Sequence, residues 1–330
     1  MSKIIGPALP GIPWQDKPEG CIDPIWRYEQ NPIVTRRNLC GSRSIFNSAV
    51  VPFGDGYAGV FRVDDLSMIP TLHVGWSKDG INWDIEPDVI SFDNNFGDIA
   101  KASYGFDPRV TLIDDTYYVT WCNVINGEGS TVGAAYTYDF KTFHQLPNVF
   151  PLYNRNAVLF PKKIDGKFAL LNRPTSRGHC VGGNIYYSES PDMEYWGHHR
   201  MVIGTTMGWQ STKIGAGPVP IETDEGWLMF YHGVTQMASG MMYSIGGAIL
   251  DKNEPWKALY RTKGMIMGPE ATYERSGDCD NVVFPCAALA DSETGRIAIY
   301  YGAADSALAL AFCEVNEIVD FIKKNSYEAE

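Results

Sequence analysis

Four residues able to carry positive charge, Arg155, Arg173, Lys213 and His232, sit in an acidic chain whose formal net charge is −12. Three carboxylates, Asp64, Asp107 and Asp305, come from stretches far from them. An Arg fork and a Lys point charge suit a phosphate dianion. Carboxylates suit hydroxyl-rich ligands, and one of the three is left over as a proton donor. Asp107 follows Tyr104, Gly105 and Phe106, and an apolar flank would raise its pKa and make it an acid. A turn-capping carboxylate ahead of Pro108 explains Asp107 equally well.

The elements that position these residues form a repeat. Five stretches share one order: an apolar run, a polar turn, an aromatic-rich run, then a further strand. They are NSAVVPFGDGYAGVFRVDD from Asn47, DPRVTLIDDTYYVTWCN from Asp107, NAVLFPKKIDGKFALLNRP from Asn156, GAGPVPIETDEGWLMFYHG from Gly215 and NVVFPCAALADSETGRIAIYYG from Asn281. Each polar middle is a hairpin signal. The spacing suits a four-stranded blade, so the chain is expected to be all-β: a five-bladed β-propeller spanning residues 1–330 as one domain. Residues 1–40 read as an irregular arm. Val315, Ile318, Val319 and Ile322 recur at helical spacing and predict a short C-terminal helix over 315–325.

In a propeller the first strand of each blade lines the channel, and one rim of these strands converges on one pocket. Asn47, Asp107 with Arg109, Asn156, Lys213 and Asn281 begin the repeats. Arg62 with Asp64, Asn123, Arg173, His232 and Asp305 end the second strands. Any one of them alone reads as a loop-end charge or structural ion pair. Five equivalent positions together point to a binding site. Tyr104, Trp121 and Trp209 are candidates to stack on sugar faces, although most of the Trp residues are expected to pack the blades.

Composition excludes several classes. An acidic surface disfavours nucleic acid and anionic membranes. No run of about 18 apolar residues spans a membrane, and the Pro- and Gly-rich start has no signal-peptide pattern. Seven scattered Cys without a CxxC pair suit reduced thiols and a cytoplasmic location. The six His show no metal spacing, and there is no P-loop or GxGxxG. No metal or cofactor is expected.

The stretches IFNSAVVPFGDGYAGVFRVDD, YGFDPRV, YYVTWCN, YNRNAVLFPKK, STKIGAGPVP, YHGV and IAIYYGAADS resemble family 130 of the glycoside hydrolases, the β-mannoside phosphorylases and their β-mannosidase relatives. The opening IPWQDKPEG looks most like the branch acting on β-1,4-mannosides. The resemblance implies inverting phosphorolysis of mannooligosaccharides or mannosyl-N-acetylglucosamine, with inorganic phosphate as co-substrate and α-mannose 1-phosphate as product. It implies Asp107 as the acid, its proton passing through the mannose 3-hydroxyl. It implies Arg155, Asn156, Arg173, Lys213, His232 and Tyr243 around the phosphate, and Asn47, Ser48, Arg62, Asp64 and Asp305 on the mannose. It also implies a homo-oligomer. A β-mannosidase using water and a non-catalytic sugar-binding propeller remain as alternatives, and the retained basic set argues against both.

Overall fold

The computed structural model describes residues 2–93, 95–175 and 183–327. Among them five separate sheets are arranged as five blades in a ring. The first blade runs outward through Ser42–Phe53, Gly56–Asp65, Pro70–Ser77 and Asp84–Val89. The second uses Tyr104–Ile113, Thr116–Ile125, Gly129–Thr137 and Phe143–Leu146, with Phe92–Asp93 added in parallel at its edge. The third uses Asn154–Leu159, Phe168–Pro174, Ile185–Ser190 and Gly197–Ile203. In the fourth, Lys213–Ala216 and Ile221–Thr223 share the inner edge of Gly226–Met237, followed by Gly240–Leu250 and Ala258–Arg261.

The fifth blade departs from the expected arm. Val283–Ala290, Arg296–Ala303 and Ala307–Glu314 are completed by Trp26–Arg27 from the N-terminal region. The ring is therefore closed by joining the two ends of the chain in one sheet, which covers an edge that would otherwise expose unpaired backbone groups. Ile4 also bridges Thr223 in the fourth blade. The helix Val315–Lys324 buries Val315, Ile318, Val319 and Ile322 against Ile249, Ile266 and Ile297, in the seam between blades four and five.

The turns after the third strands explain why the repeat is visible in sequence. Ser77 Oγ accepts the Gly80 N–H (2.9 Å), while Asp79 Oδ1 accepts those of Ile81 and Asn82 (2.9 and 2.8 Å). Thr137 with Asp139, and Ser190 with Asp192, make the same bonds. A hydroxyl and a carboxylate two residues apart satisfy four backbone donors of a tight turn, so the S/T-x-D spelling recurs.

Candidate active site

The inner strands carry a repeated defect. Register slips between Phe46 and Ala49 in blade one, Phe106 and Arg109 in blade two, and Arg155 and Val158 in blade three. Asn47, Asp107 and Asn156 occupy these bulges with φ of 45°, 53° and 51°. Left-handed backbone is costly for most side chains, and Asn and Asp tolerate it best. A bulge also re-aims its side chain, here into the channel mouth. One backbone device thus delivers three polar groups from three blades to one place.

That place is a cavity of about 190 Å³ lined by Asn47, Arg62, Asp107, Arg155, Asn156, Arg173, Lys213, His232, Tyr243 and Asp305, with Phe106, Cys122 and Phe284 between them. Ten of the thirteen residues expected at the site meet there. A larger depression of about 750 Å³ lies at the opposite ends of the blade-one strands, around Phe53–Tyr57 and Trp76–Asp84, and gathers no such set.

On one side of the cavity Arg62 organises the acids. Its Nε and Nη2 donate to the two oxygens of Asp64 (2.8 and 3.1 Å), and Nη1 donates to Asp107 Oδ1 (2.9 Å). Asn47 Nδ2 donates to the same Asp107 oxygen at 2.9 Å. The expected apolar setting of Asp107 is thus corrected: Phe106 flanks it, but its carboxyl is gripped by a cation and an amide. Asp107 Oδ2 takes no bond from any described residue. Burial pushes the Asp305 carboxyl up to about 7, against the pull of Arg62 and with Asp107 and Asp64 adding repulsion.

On the other side stand the cations. Arg155 and Arg173 are cross-strand partners in blade three. Arg155 Nε donates to Ser130 Oγ (2.9 Å), and the Lys213 ammonium lies 5.3 Å from the centre of the Tyr243 ring. Among the described residues none of these three cations has a carboxylate partner. Burial, then the charges of Arg173 and Arg155, lower the Lys213 amine to about 8. Burial also pushes the Tyr243 phenol up, out of the range in which it ionises. The buried Asn156 Oδ1, Arg173 Nε and His232 Nδ1 have no hydrogen-bond partner among the described residues. Two of these, Arg173 Nε and His232 Nδ1, are donors, and unpaired donors beside uncompensated cations suit an anion.

His232 is not a fourth cation. Arg173 Nη1 lies 3.1 Å from His232 Nε2, and a guanidinium only donates, so Nε2 accepts and the ring is neutral. Burial, then Arg173, Arg109 and Lys213, hold its pKa well below the usual value.

Three expected residues stand outside the cavity wall. Ser48 is fully buried behind the bulge and donates to Phe46 O. Asp64 reaches the site through Arg62, and Tyr104 is exposed where its strand begins. The stacking role expected for two Trp residues is overturned. Trp121 packs on Phe92 (centroids 4.7 Å apart) against Gly105 and Gly133, and Trp209 packs on Tyr231 with Nε1 donating to Lys263 O. Arg109 is also structural: it lies buried and donates to the carbonyls of Gly217, Pro108 and Pro285. Asn123 donates to Lys101 O and Asn148 Oδ1, and the Asn281 carbonyl accepts the Tyr243 N–H. Phe106, Cys122 and Phe284 were missed because apolar residues in apolar runs give no signal of facing a cavity.

Fold and site together define a propeller enzyme of the glycoside-processing class. The chain belongs to glycoside hydrolase family 130: the family model described as beta-1,4-mannooligosaccharide phosphorylase matches residues 9–324. It is 53% identical over 329 residues to the beta-1,4-mannooligosaccharide phosphorylase of Ruminococcus albus, covering 98% of each chain. It is 34% identical over 257 residues to the beta-1,2-mannobiose phosphorylase of Listeria innocua, covering 77% of this chain and 69% of that one. A solved Listeria innocua beta-1,2-mannobiose phosphorylase in complex with beta-1,2-mannobiose superposes with a TM-score of 0.81 at 28% identity, over 91% of this chain and 99% of that one.

Proposed function

We propose that this chain cleaves β-1,4-mannosidic bonds of mannooligosaccharides with inorganic phosphate, inverting the anomeric carbon and releasing α-mannose 1-phosphate. The observation that carries the reading is the set Arg155, Arg173 and Lys213, without acidic partners among the described residues, in the same cavity as Asp107. The identity of 53% to a phosphorylase of β-1,4-mannooligosaccharides supports the linkage.

An inverting hydrolase needs a second carboxylate as base to activate water. Phosphate is already a nucleophile and needs charge neutralisation and aim instead. Arg155, Arg173 and Lys213 supply the charge, Asn156 and Tyr243 complete the anion's surroundings, and His232 orients Arg173. Mannose lies over Asn47, Arg62 and Asp305, with Ser48 and Asp64 supporting them and Tyr104 at the entrance. Arg62 and Asn47 hold Asp107 Oδ1, which leaves Oδ2 to carry the proton. The proton leaves Oδ2 through the mannose 3-hydroxyl and reaches the departing glycosidic oxygen. Phosphate attacks from the opposite face, which inverts the centre. Phosphate is the co-substrate, and no further cofactor enters the scheme.

We read the chain as one catalytic domain acting in the cytoplasm as a homo-oligomer. The free cysteines among the described residues support a reducing compartment. The exposed Leu66, Met68 and Ile69 offer a surface for assembly. Among the described residues no helix is long and apolar enough to cross a membrane.

The test is incubation with β-1,4-mannobiose with and without phosphate, following the product by NMR. Phosphate-dependent appearance of the α-anomer of mannose 1-phosphate is expected. Equal cleavage without phosphate would mean hydrolysis and would refute the proposal.

A further inference from the structure

Two carboxyl groups, Asp107 and Asp305, and the Arg62 guanidinium line the acidic side of the cavity, with Asp64 behind Arg62. Arg62 spends Nε, Nη1 and Nη2 on Asp64 and Asp107. Asp305 lines the same cavity in left-handed backbone, φ 49°, and its carboxyl takes no hydrogen bond from any described residue. The groups that face it from the neighbouring elements are mostly acidic or neutral. Arg62 and Asp64 come from blade one and Asp107 from blade two. Lys213 and the un-ionised Tyr243 come from blade four. Asp278 and Cys279 precede blade five and Cys286 lies within it. Asp278 is already held by Arg43 (2.6 Å) and Ser44 (3.1 Å).

We propose that Asp305 is the carboxyl of this cavity that keeps its proton up to the neutral range and meets the mannoside as a hydrogen-bond donor. This rests on the reading that the cavity binds a mannoside. A buried carboxyl without its own cation or donor lowers its free energy by keeping its proton. The same raised pKa, about 7, is the expected electrostatic consequence. The neutral form also matters for the second substrate. A phosphate dianion must enter the same cavity of about 190 Å³, and a neutral Asp305 removes one like charge from its surroundings. The donor strengthens mannoside binding below about pH 7 and disappears above it, so affinity falls as pH rises.

Calorimetric titration of the full chain with β-1,4-mannobiose, in the absence of phosphate, reads this without turnover. For the wild type the dissociation constant is expected to rise about tenfold between about pH 6 and pH 8, the ratio of protonated fractions for a group titrating near 7. Asp305→Asn, an amide that donates and cannot ionise, keeps a donor at both pH values and loses this rise. Lys213, which titrates near 8, is intact in that variant, so a rise that survives in Asp305→Asn belongs to Lys213 and overturns the inference. A flat wild-type profile overturns it too. Binding of mannobiose by neither protein at either pH would remove the functional reading itself, and this inference with it.

Discussion

Replacing Gly302 by Ala is expected to damage catalysis while leaving the fold nearly intact. Gly302 lies in the strand Arg296–Ala303, outside the cavity, and its backbone is not in the left-handed region. A Cβ there would stand 1.8 Å from Asn47 Oδ1 and 2.9 Å from Asn47 Cγ. The side chain of Asn47 must therefore rotate away, because the strand backbone behind Gly302 cannot yield. What is lost is the bond from Asn47 Nδ2 to Asp107 Oδ1, 2.9 Å in the intact site. Hydrogen bonds to charged groups contribute about 1.5–3 kcal/mol. If the bond is made in full at the transition state, its loss lowers kcat/KM by about ten- to a hundredfold. The assay is the initial rate of mannose 1-phosphate release from β-1,4-mannobiose and phosphate, with Tm measured in parallel. Asn47→Ala should show a similar loss. On that background Gly302→Ala should cost little more, because the bond is already gone. Wild-type turnover by Gly302→Ala, or two losses that simply add, would refute the reasoning that Gly302 acts through Asn47 on Asp107.

Two further outcomes follow from the charges. Asp107→Asn removes the proton donor without removing the hydrogen-bonding shape, so kcat should fall by about a hundred- to ten-thousandfold with mannobiose affinity largely kept. Wild-type kcat in that variant would take Asp107 out of the role. Lys213 has its amine lowered to about 8, so it loses its charge as pH rises through that value. The free site then weakens for phosphate: kcat/KM for phosphate, already declining from about pH 7 as Asp305 ionises, should break again near pH 8 and fall more steeply beyond it. Lys213→Met should be low throughout and lack that inflection, and an unchanged profile in the variant would separate Lys213 from phosphate.

Much of the architecture is written locally. Alternation of apolar and polar residues, hairpin turns such as GDG and TDEG, and the S/T-x-D turns recur because each solves a short-range problem of backbone satisfaction or conformation. Asn47, Asp107 and Asn156 are legible for a related reason: a left-handed bulge favours Asn or Asp, so the bulge leaves a mark in the residue type itself. The closing strand Trp26–Arg27 leaves no such mark, since two residues make no pattern and their partners lie near residue 312.

What each side chain faces is a different kind of fact. Arg109 and Asp107 are two residues apart, yet one ties the carbonyls of blades four and five and the other enters the cavity, because the bulge between Phe106 and Arg109 reverses the strand's alternation. Trp121 and Trp209 have the residue type of sugar platforms and are spent on packing against neighbouring glycines. Charge state is more remote still. The residue types of His232 and Asp305 name their ordinary pKa values, and only the assembled ring, by removing water and bringing Arg173 to one and Asp64 and Asp107 to the other, pushes the first down and the second up to about 7. The sequence by itself determined the repeated blade and the stock of polar groups at its rims, since those follow from interactions within a few residues. Tertiary structure decided which of them share a cavity and which carry a proton, since those depend on distance and dielectric between segments that lie in different blades.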